Sequence, residues 1–382
     1  MKICIVGSVN TIFVHCYIKE ILSSGHDVCF VNTGDVDFGT SISSSVNQIS
    51  TCSGLFENNK KSKISKIAKR LLSKLKRLSS FCYLYECYSV YRSKKYDSDK
   101  LKRFILKEQP DIILFFWCTT TRKETFLISN LKRNGYINSK LIMDVGTYPV
   151  RDYVKESYPS YLFNIDIEYF SLFDYIFSHS KVLDEFLINK LKVNARNIVR
   201  YICGFPKESF GTYSNLQNNN KLEHRSKLVF LGGINKDNII DDVRSQIEYL
   251  TKLDIDVYVQ KSDVKIENVS YFEPFTFEQI LSGDLTTFVN QFDGILMLYG
   301  DMSRLRQKLT YPTRYALAAL SKVPIFMKRG VYDSLEELSN DNVFLYNNLE
   351  DISDKLRKNS KSFSCRTEEN TERDLISIFK DL

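Results

Sequence analysis

Twice along this chain a short β-branched run closes on glycine and opens an alternation of strands and helices. The first run is Lys2–Gly7, KICIVG, and the second is Lys227–Gly233, KLVFLGG. Behind the first, the pattern predicts a helix over Thr11–Ser24 with Gly25 as its C-cap. Strands follow at Asp27–Asn32, Asp111–Trp117, Leu141–Val145, Tyr175–Ser178 and Ile198–Ile202, with a helix running through Leu191. Asp111–Trp117 is almost continuously apolar, which fits a strand buried on both faces of a parallel sheet. Behind the second run, strands are expected at Ile255–Gln260, Val269–Phe272, Gly294–Tyr299, Val323–Met327 and Val343–Tyr346. Two successive series of this kind predict an α/β chain of two Rossmann-like domains facing across a cleft. The polar run Gly211–Asn220 reads as the linker between them. The expected boundaries are 1–206 for the N-terminal domain, 207–226 for the linker, 227–365 for the C-terminal domain and 366–382 for a terminal helix packing back on the body.

The 382 residues are 43% hydrophobic, enough for two cores. No run of eighteen apolar residues is present, so a membrane-spanning helix is not expected. The N-terminus reads as a strand rather than a signal peptide, so a cytoplasmic protein is expected. Nine cysteines are scattered without a Cys-x-x-Cys pair, and four histidines lack close spacing. These patterns speak against a disulfide framework and against a zinc site.

The net charge of +7 is local. Lys60–Leu78 holds nine lysines and arginines and no acid, and without those nine charges the +7 total becomes −2. Binding of nucleic acid is therefore not implied. Ile64, Ile67, Leu71, Leu72, Leu75 and Leu78 recur at helical spacing among the cations. A basic amphipathic helix of this kind fits the inner, anionic face of a membrane. The same stripe would equally serve a helix packed on the sheet.

The region from Phe292 to Phe326 reads as strand, basic loop, helix, strand. Arg304, Arg306, Lys308 and Arg314 gather where Pro312 at N1 and Thr313 open the helix. A helix start beside several cations suits an anion, and a diphosphate fits the charge. Gly232 and Gly233 would let the backbone approach a phosphate, with Lys236 just beyond. On the N-terminal side, Asp144 ends a strand and is the candidate catalytic base, with Asp152 in reserve and Arg151 nearby. Ser8, Asn10 and Thr11 in the first loop, and His15 on the first helix, are candidate acceptor contacts.

Several segments together resemble the GT-B-fold glycosyltransferases, of the broad retaining type that builds bacterial surface polysaccharides. Ser24-Gly25-His26-Asp27-Val28 is similar to that family's entry to its second strand. Ser178-His179-Ser180 resembles its strand-then-serine step, and Gly204-Phe205-Pro206 its exit to the second domain. Phe230-Leu231-Gly232-Gly233 resembles the turn below the donor diphosphate. Pro312 to Pro324 resembles the family's helix with the same proline spacing, but with Arg314 for lysine, Leu317 for glutamate and Lys322 for glycine.

The resemblance implies a nucleotide-sugar donor held by the C-terminal domain, with Phe275 beside the nucleotide base. It also implies a lipid-linked or growing glycan acceptor held by the N-terminal domain. Neither a cofactor nor a metal is expected, since cations must then neutralise the leaving diphosphate. A sugar-nucleotide epimerase of the same fold and a non-catalytic subunit of a polysaccharide assembly complex are the alternatives.

Overall fold

Apolar, β-branched runs form the middle of two parallel sheets. The computed structural model describes residues 1–34, 46–51, 79–116, 121–149, 162–211, 225–234, 242–262, 264–299, 305–309, 312–321, 323–330, 342–358 and 375–382. Among these, the first sheet contains β1 (Lys2–Gly7), β2 (Asp27–Asn32), β3 (Asn47–Ser50), β4 (Ile112–Phe116), β5 (Lys140–Asp144), β6 (Tyr175–Ser178) and β7 (Ile198–Arg200). Their order is β3-β2-β1-β4-β5-β6-β7, with parallel pairing throughout. Ile3, Ile5 and Val6 of β1 and Ile113, Leu114 and Phe115 of β4 are fully buried. Burying each such side chain stabilises by about 1.5–3 kcal/mol. The helices described with this sheet are α1 (Ile12–Ser23), α2 (Ser79–Lys94), α3 (Asp99–Glu108), α4 (Arg122–Arg133), α5 (Leu162–Phe170) and α6 (Lys181–Asn189). Ser98 and Ser180 cap α3 and α6 by accepting from the amides of Leu101 and Leu183.

The second sheet contains β8 (Ser226–Phe230), β9 (Ile255–Gln260), β10 (Ser270–Phe272), β11 (Gly294–Met297), β12 (Ile325–Lys328) and β13 (Val343–Tyr346), in the order β10-β9-β8-β11-β12-β13. Its helices are α7 (Arg244–Lys252), α8 (Phe277–Leu281), α9 (Asp284–Val289), α10 (Leu305–Leu309), α11 (Thr313–Ala318) and α12 (Glu350–Lys358). A capping box starts α8: Thr276 accepts from the Gln279 amide while the Gln279 side chain accepts from the Thr276 amide.

The chain divides into two compact units, Met1–Cys203 with Glu372–Leu382, and Gly204–Thr371. The final helix α13 (Leu375–Asp381) belongs to the first unit. There Phe379 stacks on Phe177, and the Leu375 amide donates to Glu20 Oε1 at 3.4 Å. Among the described residues no helix is long and apolar enough to cross a membrane.

Two local expectations need correction. Pro312 is the N-cap of α11 rather than N1. Its dihedrals are extended (φ −73°, ψ 132°) while its carbonyl accepts from the Tyr315 and Ala316 amides. The helix also stops at Ala318, where Ser321 folds back on the Ala318 carbonyl, well before Pro324. The basic segment 60–78 lies outside the described residues.

Candidate functional site

In an open parallel sheet the place for a ligand is outside the carboxyl ends, where the strand order reverses. In the second sheet that point lies between β8 and β11. Leu231 and Gly232 leave β8 there, and Leu298 and Tyr299 leave β11. Arg314, in the first turn of α11, fills the position. Its guanidinium carbon lies 4.5 Å from the Phe230 ring centroid and 4.9 Å from that of Tyr299. Nη1 donates to the Leu298 carbonyl at 3.0 Å. The next carbonyl, Tyr299, accepts from Gln246 Nε2 at 2.9 Å. The two carbonyls following β11 are thus pinned by side chains of two different helices.

Gly232 is required by this arrangement. A Cβ there would stand 2.5 Å from Arg314 Cζ and 2.6 Å from Phe230 Cζ. Its role is to admit the guanidinium, so the close approach inferred from sequence is made by a side chain of this chain. Gly233 differs: it is exposed, and a Cβ at that position meets nothing within 4 Å. Since α11 is only six residues long, the positive charge at this edge comes from the guanidinium rather than from a helix dipole. Thr313, Arg306 and Lys308 are exposed on α11 and α10. Arg304 and Lys236 lie outside the described residues.

Phe275 belongs to a packed aromatic row. Its ring centroid is 5.3 Å from Phe288 and 6.2 Å from Phe272, and Phe288 continues to Phe292. Phe275 is half-buried at the end of this row.

In the first sheet the order reverses between β1 and β4. The loop after β1 is braced from within. Val9 N–H and Gly34 N–H both donate to Asn32 Oδ1, at 3.3 and 3.0 Å. Ser8 Oγ accepts from the Asn10 amide at 3.3 Å. The Ser8 hydroxyl occupies the space a Cβ of Gly34 would need. His15 is buried on α1, and its Nε2 donates to the Val9 carbonyl at 2.8 Å. Through this bond His15 braces the loop that precedes its own helix. Asn10 is exposed, while Ser8 and Thr11 are half-buried.

Asp144, at the end of β5, is 3% exposed and has both carboxylate oxygens engaged. Oδ2 accepts from the Tyr17 hydroxyl at 2.9 Å, and Oδ1 from His179 Nε2 at 2.8 Å. Burial, followed by the Asp144 charge, holds the Tyr17 phenol well above its usual range, so it remains a donor. Since a carboxylate oxygen only accepts, the His179 Nε2 facing it carries a proton. Gly146 passes over this ring: a Cβ there would be 3.3 Å from His179 Cε1. Asp144 thus has its two oxygens taken by a tyrosine hydroxyl and a histidine inside the unit, which changes its expected part as the base. Arg151 and Asp152 lie outside the described residues.

The sequence gives no local sign of Tyr17, 127 positions from Asp144. His179 directly follows a strand, which marks it as an edge residue without revealing its partner. Glu124 was also unforeseen. Thr121-Arg122-Lys123-Glu124 has the spacing of a capping box, yet Glu124 turns instead to Thr51, whose hydroxyl donates to Oε1 at 2.5 Å. Burial pushes its carboxyl up, against the opposing pull of Lys123 and Thr51.

No family model matches the sequence, and no curated protein matches it. Solved structures do match over nearly the whole chain. Sucrose-phosphate synthase from Thermosynechococcus elongatus aligns with a TM-score of 0.59 at 8% identity, covering 94% of this chain and 89% of that one. A glycosyltransferase from Rickettsia africae ESF-5 gives 0.55 at 11% identity, covering 94% and 87%. The catalytic domain of starch synthase IV from Arabidopsis thaliana, bound to ADP and acarbose, gives 0.55 at 8% identity, covering 94% and 92%. The fold is therefore the GT-B fold these proteins share, as the sequence motifs led us to expect.

Proposed function

We propose that the protein is a glycosyltransferase that moves a sugar from a nucleotide-sugar donor to a lipid-linked or growing surface glycan. The observation that carries the reading is Arg314, held by two aromatic rings and a carbonyl at the switch point of the second sheet. A preorganised guanidinium stabilises a leaving diphosphate without reorganising during the reaction. In this reading the exposed Arg306 and Lys308, with Thr313, complete the donor contacts, and Gly233 offers open backbone. Arg304 and Lys236 would add to them.

In the first unit, Ser8, Asn10, Thr11 and Arg151 would hold the acceptor. The acceptor oxygen forms a bond to the anomeric carbon as the bond from that carbon to the diphosphate oxygen breaks. The diphosphate takes the electron pair. Asp152, the reserve carboxylate of the sequence reading, is the proposed receiver of the hydroxyl proton. The acid-free run of nine cations at 60–78 supports an acceptor presented at the inner face of an anionic membrane.

Thermal-shift screening against UDP-, GDP-, CMP- and dTDP-sugars should identify a stabilising donor, whose turnover should then fall on changing Arg314→Ala with Lys308→Ala. Absence of stabilisation by every donor, or unchanged turnover in the double variant, would sink the proposal.

A further inference from the structure

Among the described residues of the first unit, six of the eight exposed large apolar side chains lie on or beside α2, α3 and α4. They are Tyr83, Leu84, Tyr88 and Tyr91 of α2, Leu106 of α3 and Tyr136 just past α4, with Met1 and Ile188 outside this group. Leu84, Tyr88 and Tyr91 stand at spacings of four and three, so they form one stripe along the helix. The opposite side of α2 faces inward. Val90 is buried there, and Glu86 accepts from Arg122 Nη1 of α4 at 2.9 Å with both side chains nearly sealed.

The stripe leads into a groove. Lys95 follows Tyr91, with its Nζ 4.4 Å from that ring's centroid. A cavity of about 450 Å³ opens beside it, lined by Lys94, Lys95, Tyr96, Lys102, Leu106 and Tyr136 among others. From Ser79 to Gln109 there are seven lysines and arginines against four acids. Two of those acids, Glu86 and Glu108, are buried and bonded to Arg122 and Lys2. Asp97 and Asp99 remain at the surface. Asp97 is tied to Lys102 at 2.5 Å and Glu168 of α5 pairs with Lys94, which leaves Lys95, Lys100, Arg103 and Lys107 among the cations in excess.

We propose that this face docks on an anionic lipid bilayer, with the α2 stripe in the interfacial region and the groove at headgroup level. Tyrosine has an apolar body and a polar tip, which suits the boundary between acyl chains and water. Lysines beside such a stripe are attracted by anionic headgroups and keep their charge in water. An exposed apolar patch rimmed by cations marks a contact surface. A second copy of the chain would set this cationic face against itself, so charge selects the bilayer. The inference deepens the membrane part of the proposed function but names described residues other than segment 60–78. Its test needs no substrate, so it stands or falls separately from sugar transfer.

The test is flotation of the full chain with vesicles of phosphatidylcholine mixed with phosphatidylglycerol, beside vesicles of phosphatidylcholine alone. Wild type should float only with the mixed vesicles. The triple change Leu84→Glu, Tyr88→Glu and Tyr91→Glu should abolish flotation with segment 60–78 intact. Lys94→Gln, Lys95→Gln and Lys102→Gln should weaken binding about fivefold each, about a hundredfold together, at about 1 kcal/mol per cation. All variants alter exposed or groove-lining side chains, and unchanged melting temperatures check that they fold.

A companion variant replaces every lysine and arginine of 60–78 by glutamine. If that change alone removes binding while the α2 variants float like wild type, the face plays no part and the inference is overturned. Equal binding of wild type to neutral and mixed vesicles overturns it as well. So does a dimer, seen by sedimentation, that the α2 changes dissociate.

Discussion

The carboxyl edges of the two sheets are built from opposite chemistry. At the first, donors and acceptors close on one another: Tyr17 and His179 on Asp144, Val9 and Gly34 on Asn32, Thr51 on Glu124. At the second, one cation is clasped by rings and a carbonyl, with an exposed glycine and two exposed cations on the neighbouring segments. One edge ties its buried polar groups to one another, and the other holds a guanidinium between two rings beside exposed cations. The difference teaches that similar strand-to-glycine turns do not imply similar sites. Gly232 makes room for an arginine, whereas the loop after β1 is tied down by an asparagine.

The contrast predicts unequal sensitivities, and the largest belongs to the second edge. Arg314→Ala should lower donor turnover about 10²–10³-fold, the range seen when a preorganised donor to developing charge is removed. Steady-state release of nucleoside diphosphate reads this directly. Gly232→Ala should approach the same loss, because the added methyl overlaps the guanidinium, while Gly233→Ala should leave turnover near wild type. Equal behaviour of the two glycine variants would refute the clasp.

At the first edge the expected effect is on stability. Asp144→Ala strands the Tyr17 hydroxyl and the His179 N–H in the interior, at about 1–3 kcal/mol for each unsatisfied group. Urea denaturation should show that loss while nucleotide binding by the second unit persists. His179→Ala should show a similar loss, because it leaves Asp144 Oδ1 without its partner in the interior.

The smallest effect is the pH response of Glu124. Its folded carboxyl titrates above the ordinary 4.5, so the folded state binds more protons than the unfolded state just above that pH. Stability contributed through this group is therefore lost as pH rises from 4.5 upward. Glu124→Gln should flatten that slope, and melting temperatures across the acid range would show it. A parallel slope in both proteins would contradict the burial of an acid at this edge.

Much of the fold was legible in the sequence because local pattern fixes strands well. Asp27–Asn32, Tyr175–Ser178, Ile255–Gln260 and Val343–Tyr346 have the bounds their apolar runs indicate. β3 escaped notice because its residues, NQIS, carry little apolar signal and it pairs only at the edge with β2. The length of α11 was misjudged because proline spacing marks where a helix can begin and end, not where its hydrogen bonds stop. Arg314 was visible as a cation near a turn, yet its ring partners come from β8 and from the segment after β11. Asp144 was visible as a strand-end acid, but Tyr17 and His179 reach it only through sheet order. Contacts made across strands leave no spacing for a sequence reader to find.

The most direct test is calorimetric titration of the protein with the nucleoside diphosphate of its best donor. The account predicts saturable binding by wild type and by Gly233→Ala, and binding weakened at least tenfold by Arg314→Ala, the effect of about 1.4 kcal/mol. Equal affinity in wild type and Arg314→Ala would contradict the claim that the clasped arginine holds the donor diphosphate.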